Sequence, residues 1–197
     1  MANQDAAFGL RPLKTVGQQD DSTGMSSYNI SPGDASVIFQ GALVGSPATG
    51  TGYVDLQTAG LVLNLGAFWG TFYNDPTTLK PTFKNYYPGS ITPPNSGAVE
   101  AFVYDSPSQM YEIQSDNAGA SAQADIFKCA DLAGTSGSTL NGVSSMELAD
   151  STLGTTGQFK IIGVSRDPEN SDLTSANVNW RVMVNEHLLG SGTAGAA

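Results

Sequence analysis

Ala98–Ser115 reads AVEAFVYDSPSQMYEIQS, and its alternation decides the fold. Val99, Ala101 and Val103 alternate with Glu100, Phe102 and Tyr104. On the far side of Asp105-Ser106-Pro107-Ser108, Met110, Glu112 and Gln114 alternate with Tyr111 and Ile113. A period of two on both sides of a polar, Pro-containing turn is the pattern of two strands folded back as a β-hairpin. The same period recurs toward the end of the chain. Val178, Trp180, Val182 and Val184 share one face of Asn177–His187, opposite Asn177, Asn179, Arg181 and Asn185. Gln158–Ser165 (QFKIIGVS) is rich in β-formers. Upstream, Ser36–Val44 and Gly52–Gln57 read as strands separated by Gly45-Ser46-Pro47.

Leu61–Tyr73 carries apolar groups on both faces. Leu61, Leu63, Leu65, Ala67 and Trp69 lie on one, and Val62, Phe68 and Phe72 on the other with Asn64, Gly66 and Gly70. Such a strand is buried on two sides, or buried on one and at an interface on the other. Gly66 and Gly70 suggest a bulge or a close backbone approach. Pro76, Pro81 and Pro88 bracket Thr82–Tyr87, an edge strand or extended loop. The single helical candidate is Ala118–Ala133, where Ala124, Phe127, Cys129 and Leu132 make an imperfect stripe and Asp125 could cap one or two turns. Gly134–Gly142 is a loop by composition. The expectation is an all-β chain: a β-sandwich or barrel-like body over 28–188, an extended N-terminal arm over 1–27, and a tail over 189–197.

Composition agrees and narrows the function. Gly is 23 of 197 residues and charged residues are only 13%, which suits short strands joined by turns. The net charge of −10 disfavours binding to nucleic acid or to anionic membranes. The 19 uncharged residues between Asp55 and Asp75 are broken by Asn64, Gly66, Gly70 and Thr71, so they read as strands rather than a membrane span. MANQDAAFGLRPLKT lacks the apolar core of a secretory signal. The lone Cys129 reads as a small buried apolar residue.

No catalytic constellation emerges, so no cofactor, metal or enzymatic role is expected. His187 is the single histidine, which excludes a Cys-His or multi-His zinc site within one chain. A Ser-His-Asp triad would need His187, and no G-x-S-x-G elbow precedes it. Gly190-Ser191-Gly192-Thr193-Ala194-Gly195 matches G-x-G-x-x-G literally, with no helix after it to hold a pyrophosphate. Asp167-Pro168-Glu169-Asn170-Ser171-Asp172 could offer oxygens to Ca²⁺ but lacks the Gly and Glu of an EF-hand loop, and reads as a polar turn.

The candidate sites are therefore surfaces. Seven of the 17 aromatics, Phe68, Trp69, Phe72, Tyr73, Phe83, Tyr86 and Tyr87, fall between Phe68 and Tyr87 and are candidates for a protein–protein surface. Core packing is the alternative. In the arm, Phe8, Leu10, Arg11 and Leu13 either belong to a loose tail or anchor on a neighbouring subunit.

Several blocks also carry a family resemblance: MANQDAAFGLRP, GAFWGTFYNDPTTLKPTFKNYYPG (66–89), MYEIQSD, FKIIGVSRDPEN and WRVMVNEH. In order along most of the chain, they resemble virion structural proteins of tailed bacteriophages, especially marine ones, of the capsid cement or decoration type. The resemblance implies a β-rich body on the outer surface of an icosahedral head, bound to the major capsid protein, with arms reaching neighbours and often a trimer. It also implies that the protein passes through the host cytoplasm during assembly. Other structural roles (tail, neck or fibre) and a carbohydrate-binding surface module fit the same composition.

Overall fold

The computed structural model describes residues 3–16, 24–47, 49–116 and 121–190. Much of the second half of the 1–27 arm, most of the Gly190–Gly195 match and the start of the helical candidate lie outside the described residues. Two six-stranded antiparallel sheets face each other. The first runs, in spatial order, β1 (Arg11–Thr15), β8 (Gln109–Gln114), β12 (Asn179–Val184), β11 (Phe159–Val164), β9 (Cys129–Ala133) and β10 (Glu147–Gly154). The second runs β2 (Ser26–Ile30), β7 (Val99–Tyr104), β5 (Asn64–Asn74), β3 (Leu43–Gly45) and β4 (Asp55–Leu56), with β6 (Pro81–Lys84) also paired to β5. Two short 3₁₀ turns, Pro94–Ser96 and Gln123–Asp125, are the helical pieces among the described residues. The body is all-β, as read from the sequence, and of the two forms expected there it is the sandwich rather than the barrel.

One continuous core lies between the sheets, with Trp180, Tyr111, Phe68, Phe159 and Ile113 among its fully buried side chains. Burying each such side chain is worth about 1.5–3 kcal/mol. The alternating face of β12, Trp180, Val182 and Val184, points into this core.

The pair at 98–115 corrects the hairpin expectation. Both strands form, but β7 pairs β2 and β5 in one sheet while β8 pairs β1 and β12 in the other. The turn thus carries the chain across the sandwich, and the apolar faces of the two strands both point into the core: Val99, Ala101 and Val103 from one sheet, Tyr111 and Ile113 from the other. The Gln109 amide donates to the Ser106 carbonyl at 2.9 Å, closing the turn. The Tyr111 hydroxyl donates to the Tyr104 carbonyl at 2.6 Å. That approach requires glycine at 66, where a Cβ would lie 1.9 Å from the Tyr104 oxygen. Tyr28 donates to the Asp105 carboxylate at 2.5 Å; burial, reinforced by that carboxylate, pushes its pKa up to about 12.

Other expectations shift for local reasons. Within the 118–133 helical candidate, Cys129–Ala133 is strand β9, paired on both sides, to β10 and to β11, so sheet pairing overrides the imperfect helical spacing. Asp125 accepts from the Ala122 amide at 2.7 Å and from Lys128 at 2.8 Å, so its capping is confined to one 3₁₀ turn. In 61–73 the strand starts only at Asn64, and a bulge between Phe68 and Gly70 resets its faces: Phe68 enters the core while Trp69 turns outward. Of Ser36–Val44, only the end joins β3, preceded by single bridges at Ile38 and Gln40.

The N-terminal arm ending at 27 is redrawn. Residues 11–15 are an edge strand of the chain's own first sheet. The Leu10 amide donates to the Gly41 carbonyl at 2.7 Å, and Leu10 is only 1% exposed. Just upstream, the Ala6 amide donates to Gln114 Oε1 at 2.9 Å and the Gln114 amide donates back to the Gln4 carbonyl at 2.9 Å. These contacts help to bury the outer face of β8, which explains why all six of its residues are buried.

Candidate interaction surface

The outer face of the second sheet presents aromatic rings to solvent. Phe72 on β5 lies directly opposite Phe83 on β6, and they are 38% and 58% exposed. Phe83 leans across β5 to meet half-buried Phe102 on β7, with ring centroids 6.2 Å apart. It can do so because residue 70 is glycine: a Cβ there would lie 2.6 Å from the Phe83 ring. Polar groups flank the rings, Glu100 opposite Phe72 on β7 and Ser27 and Asn29 on β2. Lys84 lies 5.6 Å from the centre of the Tyr86 ring, which stacks on Phe39 at 5.9 Å. Adjacent exposed rings with a polar border have the make-up of a protein-binding patch.

A second feature lies where the N-terminal segment crosses the sandwich. A cleft of about 180 Å³ is walled by Phe8, Leu10, Trp69 and Val143, with Arg11 and Gln40 supplying its polar edge. The Arg11 guanidinium sits 4.0 Å from the centre of the Phe8 ring and forms an ion pair with Glu112 at 3.0 Å. Glu112 also accepts from the Ser165 hydroxyl. Trp69 packs edge-on against Tyr104, with centroids 5.3 Å apart at 82°. On the other side of Phe8 and Arg11 lies a cavity of about 150 Å³, lined by Gln114, Asp167, Glu169, Asn170 and Asn179.

The structure therefore sorts the sequence-derived candidates. Leu10, Phe68, Tyr73 and Tyr87 are core residues, removed from any surface role by burial. The Tyr87 hydroxyl is engaged internally, donating to the Asp34 carbonyl at 3.0 Å and accepting from the Ile91 amide at 3.2 Å. Phe8 and Arg11 meet Trp69, distant from both in sequence, at one cleft. Phe72 is on the aromatic face, and half-buried Tyr86 stands on Phe39. Leu13 is half-buried on the edge strand. Phe83 belongs to the aromatic cluster read from the sequence, whereas Phe102, the third ring of the patch, was missed; its alternation with buried Ala101 and Val103 was the available signal.

The remaining polar candidates are held by their own neighbourhoods. His187 is buried; its Nδ1 accepts from the Leu189 amide at 3.0 Å, and burial lowers its pKa. Asp167 accepts from the Glu169 amide at 3.0 Å, and Asp172 from the Thr174 amide at 2.9 Å and hydroxyl at 2.7 Å, which makes the 167–172 stretch a pair of side-chain-closed turns. Those bonds lower the Asp172 pKa. No group of three His, Cys, Asp or Glu side chains among the described residues is placed to hold a metal ion. Cys129 is buried and free. No helix among the described residues is long and apolar enough to cross a membrane. In comparisons with known proteins, no family model, no curated protein and no solved structure matches the chain.

Proposed function

We propose that the protein is a capsid cement or decoration protein of a tailed-bacteriophage head, bound to the outside of the shell through the aromatic face of its second sheet. The observation that carries this reading is the exposed Phe72–Phe83–Phe102 patch, held rigid on three hydrogen-bonded strands. Aromatic rings dominate the energetics of protein–protein contacts, and a sheet face presents them at little entropic cost. The family resemblance in the sequence supplies the partner, the major capsid protein, and suggests a trimer as the bound form. The net charge of −10 suits a position outside the shell, away from packaged DNA.

The mechanism is mass action. A protein that binds the assembled shell and not its dissociated parts stabilises assembly by RT ln(1 + [L]/Kd), about 2.7 kcal/mol per site at a hundredfold excess over Kd. DNA-filled heads lacking the protein test this directly. Adding it back is expected to raise the temperature at which the heads release DNA and to protect them at low salt. Identical release by bare and decorated heads, at matched salt, would remove the stabilising role.

A further inference from the structure

From the two cavities that meet at Phe8 and Arg11, we infer that the protein carries a binding site for neutral carbohydrate, beside the Phe72–Phe83–Phe102 patch proposed to dock on the shell and sharing none of its rings. One cavity is walled by the rings of Trp69 and Phe8 with Leu10 and Val143, and the other is lined by amides and carboxylates. They measure about 180 and 150 Å³, and Phe8 and Arg11 stand in the walls of both, so a ligand of more than one ring could occupy the two side by side. A sugar ring has one apolar C–H face and a rim of hydroxyls. It matches a site whose walls are aromatic on one side and hydrogen-bonding on the other.

The hydrogen-bonding groups are placed by the fold rather than left loose. Asn170 Nδ2 donates to the Gln4 carbonyl at 2.7 Å and to the Asn177 carbonyl at 2.8 Å. Gln114 Nε2 donates to Asn179 Oδ1 at 3.2 Å, and Asn179 Nδ2 to Asp167 Oδ2 at 3.4 Å. Capacity remains beyond these bonds. Gln40 uses its Oε1 to accept from Asn85 at 3.3 Å, which turns its NH₂ donors elsewhere. Arg11 uses Nη1 on Glu112, leaving Nε and Nη2. The Glu169 carboxylate is an open acceptor at the rim. Donors at Arg11 and Gln40 and acceptors at Asp167 and Glu169 are what a row of hydroxyls, each both donor and acceptor, requires.

Charge selects among ligands. Asp167 and Glu169 in the polar cavity outnumber its one cation, Arg11, whose charge is already paired with Glu112, and on a chain of net charge −10 they oppose a uronic acid or an acidic peptide. An apolar peptide would fill the Trp69 side but desolvate those carboxylates without partners, which is costly. A neutral sugar satisfies both cavities.

The test uses the full-length chain and its two tryptophans. Trp180 is buried in the core, so a ligand-dependent change in emission reports Trp69. The probes are maltotriose, cellotriose, mannotriose and galactotriose, with trigalacturonate as the acidic control and tri-alanine as the peptide control. Saturable binding of at least one neutral trimer, with Kd at or below about 10 mM, is expected. The change is expected to persist in Trp180→Phe. Trp69→Ala, followed by calorimetry since its reporter is gone, is expected to weaken binding at least tenfold. Glu169→Gln, at an exposed rim position that leaves the fold intact, is expected to weaken it several-fold. The inference is overturned if no neutral trimer binds, if trigalacturonate or tri-alanine binds more tightly, or if both variants bind like wild type. Head binding is a separate measurement, read on Phe72 and Phe83 rather than on Trp69 and Glu169, so failure here leaves the decoration reading standing, and the reverse holds as well.

Discussion

Truncating Leu10 to alanine asks whether the N-terminal segment is part of the body or a detachable arm. Leu10 is 1% exposed, belongs to the core between the sheets, and is fixed by the hydrogen bond its backbone N–H donates to the Gly41 carbonyl. Removing a leucine side chain from such a site costs the transfer energy plus the cavity left behind, about 2–5 kcal/mol. A domain of this size has roughly 5–15 kcal/mol of stability, so the change removes a substantial part of it. For 150–250 residues, 1 kcal/mol moves Tm by about 2–4 °C, giving an expected fall of roughly 4–20 °C by scanning calorimetry. Leu13→Ala, at a half-buried position on the edge strand, is the internal control and should cost less than Leu10→Ala. Deleting residues 2–14 should cost more than either, since it also strips β1 from β8 and the Arg11–Glu112 ion pair. If Leu10→Ala melts within about 1 °C of wild type, the segment is not part of the folding unit and the account of β8's two-sided burial is wrong.

Gly70→Ala should drive the Phe83 ring off the sheet, because a Cβ there comes within 2.6 Å of it; a fall in affinity for heads larger than the fall in Tm would show that ring placement matters, and unchanged binding would show that it does not. The pH dependence of stability has two opposed parts. Burial lowers the His187 pKa from its ordinary 6.5, so the unfolded chain binds the extra proton and stability is lost as pH falls below about 6.5; His187→Gln should flatten that limb in urea titrations, and an unaltered slope would contradict the buried neutral imidazole. Burial, with Asp5, Asp116 and Asp150 nearby, raises the Glu147 pKa above its ordinary 4.5, so its ionisation opposes folding: its contribution is most favourable below about 4.5 and is lost as pH rises through the folded value, and Glu147→Gln should stabilise the protein at neutral pH.

The sandwich was legible because its central strands obey simple rules. Val99, Ala101 and Val103, and then Trp180, Val182 and Val184, alternate cleanly, and burial follows the alternation. Which strands pair was not legible, since a four-residue turn between two such strands can close a hairpin or cross between sheets. Pairing across the sandwich depends on contacts such as Tyr111 to Tyr104 at Gly66. β9 was hidden because the spacing of Ala124, Phe127, Cys129 and Leu132 imitates a helix, and β10, ELADSTLG, has no alternation to read. The surface was half legible. Clustering of aromatics between Phe68 and Tyr87 pointed to the right region, but the bulge that sends Phe68 inward and Trp69 outward is a property of the β5–β7 register. The cleft joins residues 8, 11, 40, 69 and 143, and no local pattern announces such a meeting.

The central claim is that the aromatic face of the second sheet grips a phage shell. It is tested most directly by the binding isotherm of the purified protein on bare heads, measured for wild type and for the double variant Phe72→Ser, Phe83→Ser. Both side chains are exposed, so the variant should fold and melt as wild type does. Losing two rings worth at least about 1 kcal/mol each at an interface predicts a fall in affinity of about thirtyfold or more, with saturation of the wild type at a fixed number of copies per head. A correctly folded double variant that binds heads as tightly as wild type, or a wild type that binds no heads, would contradict the account.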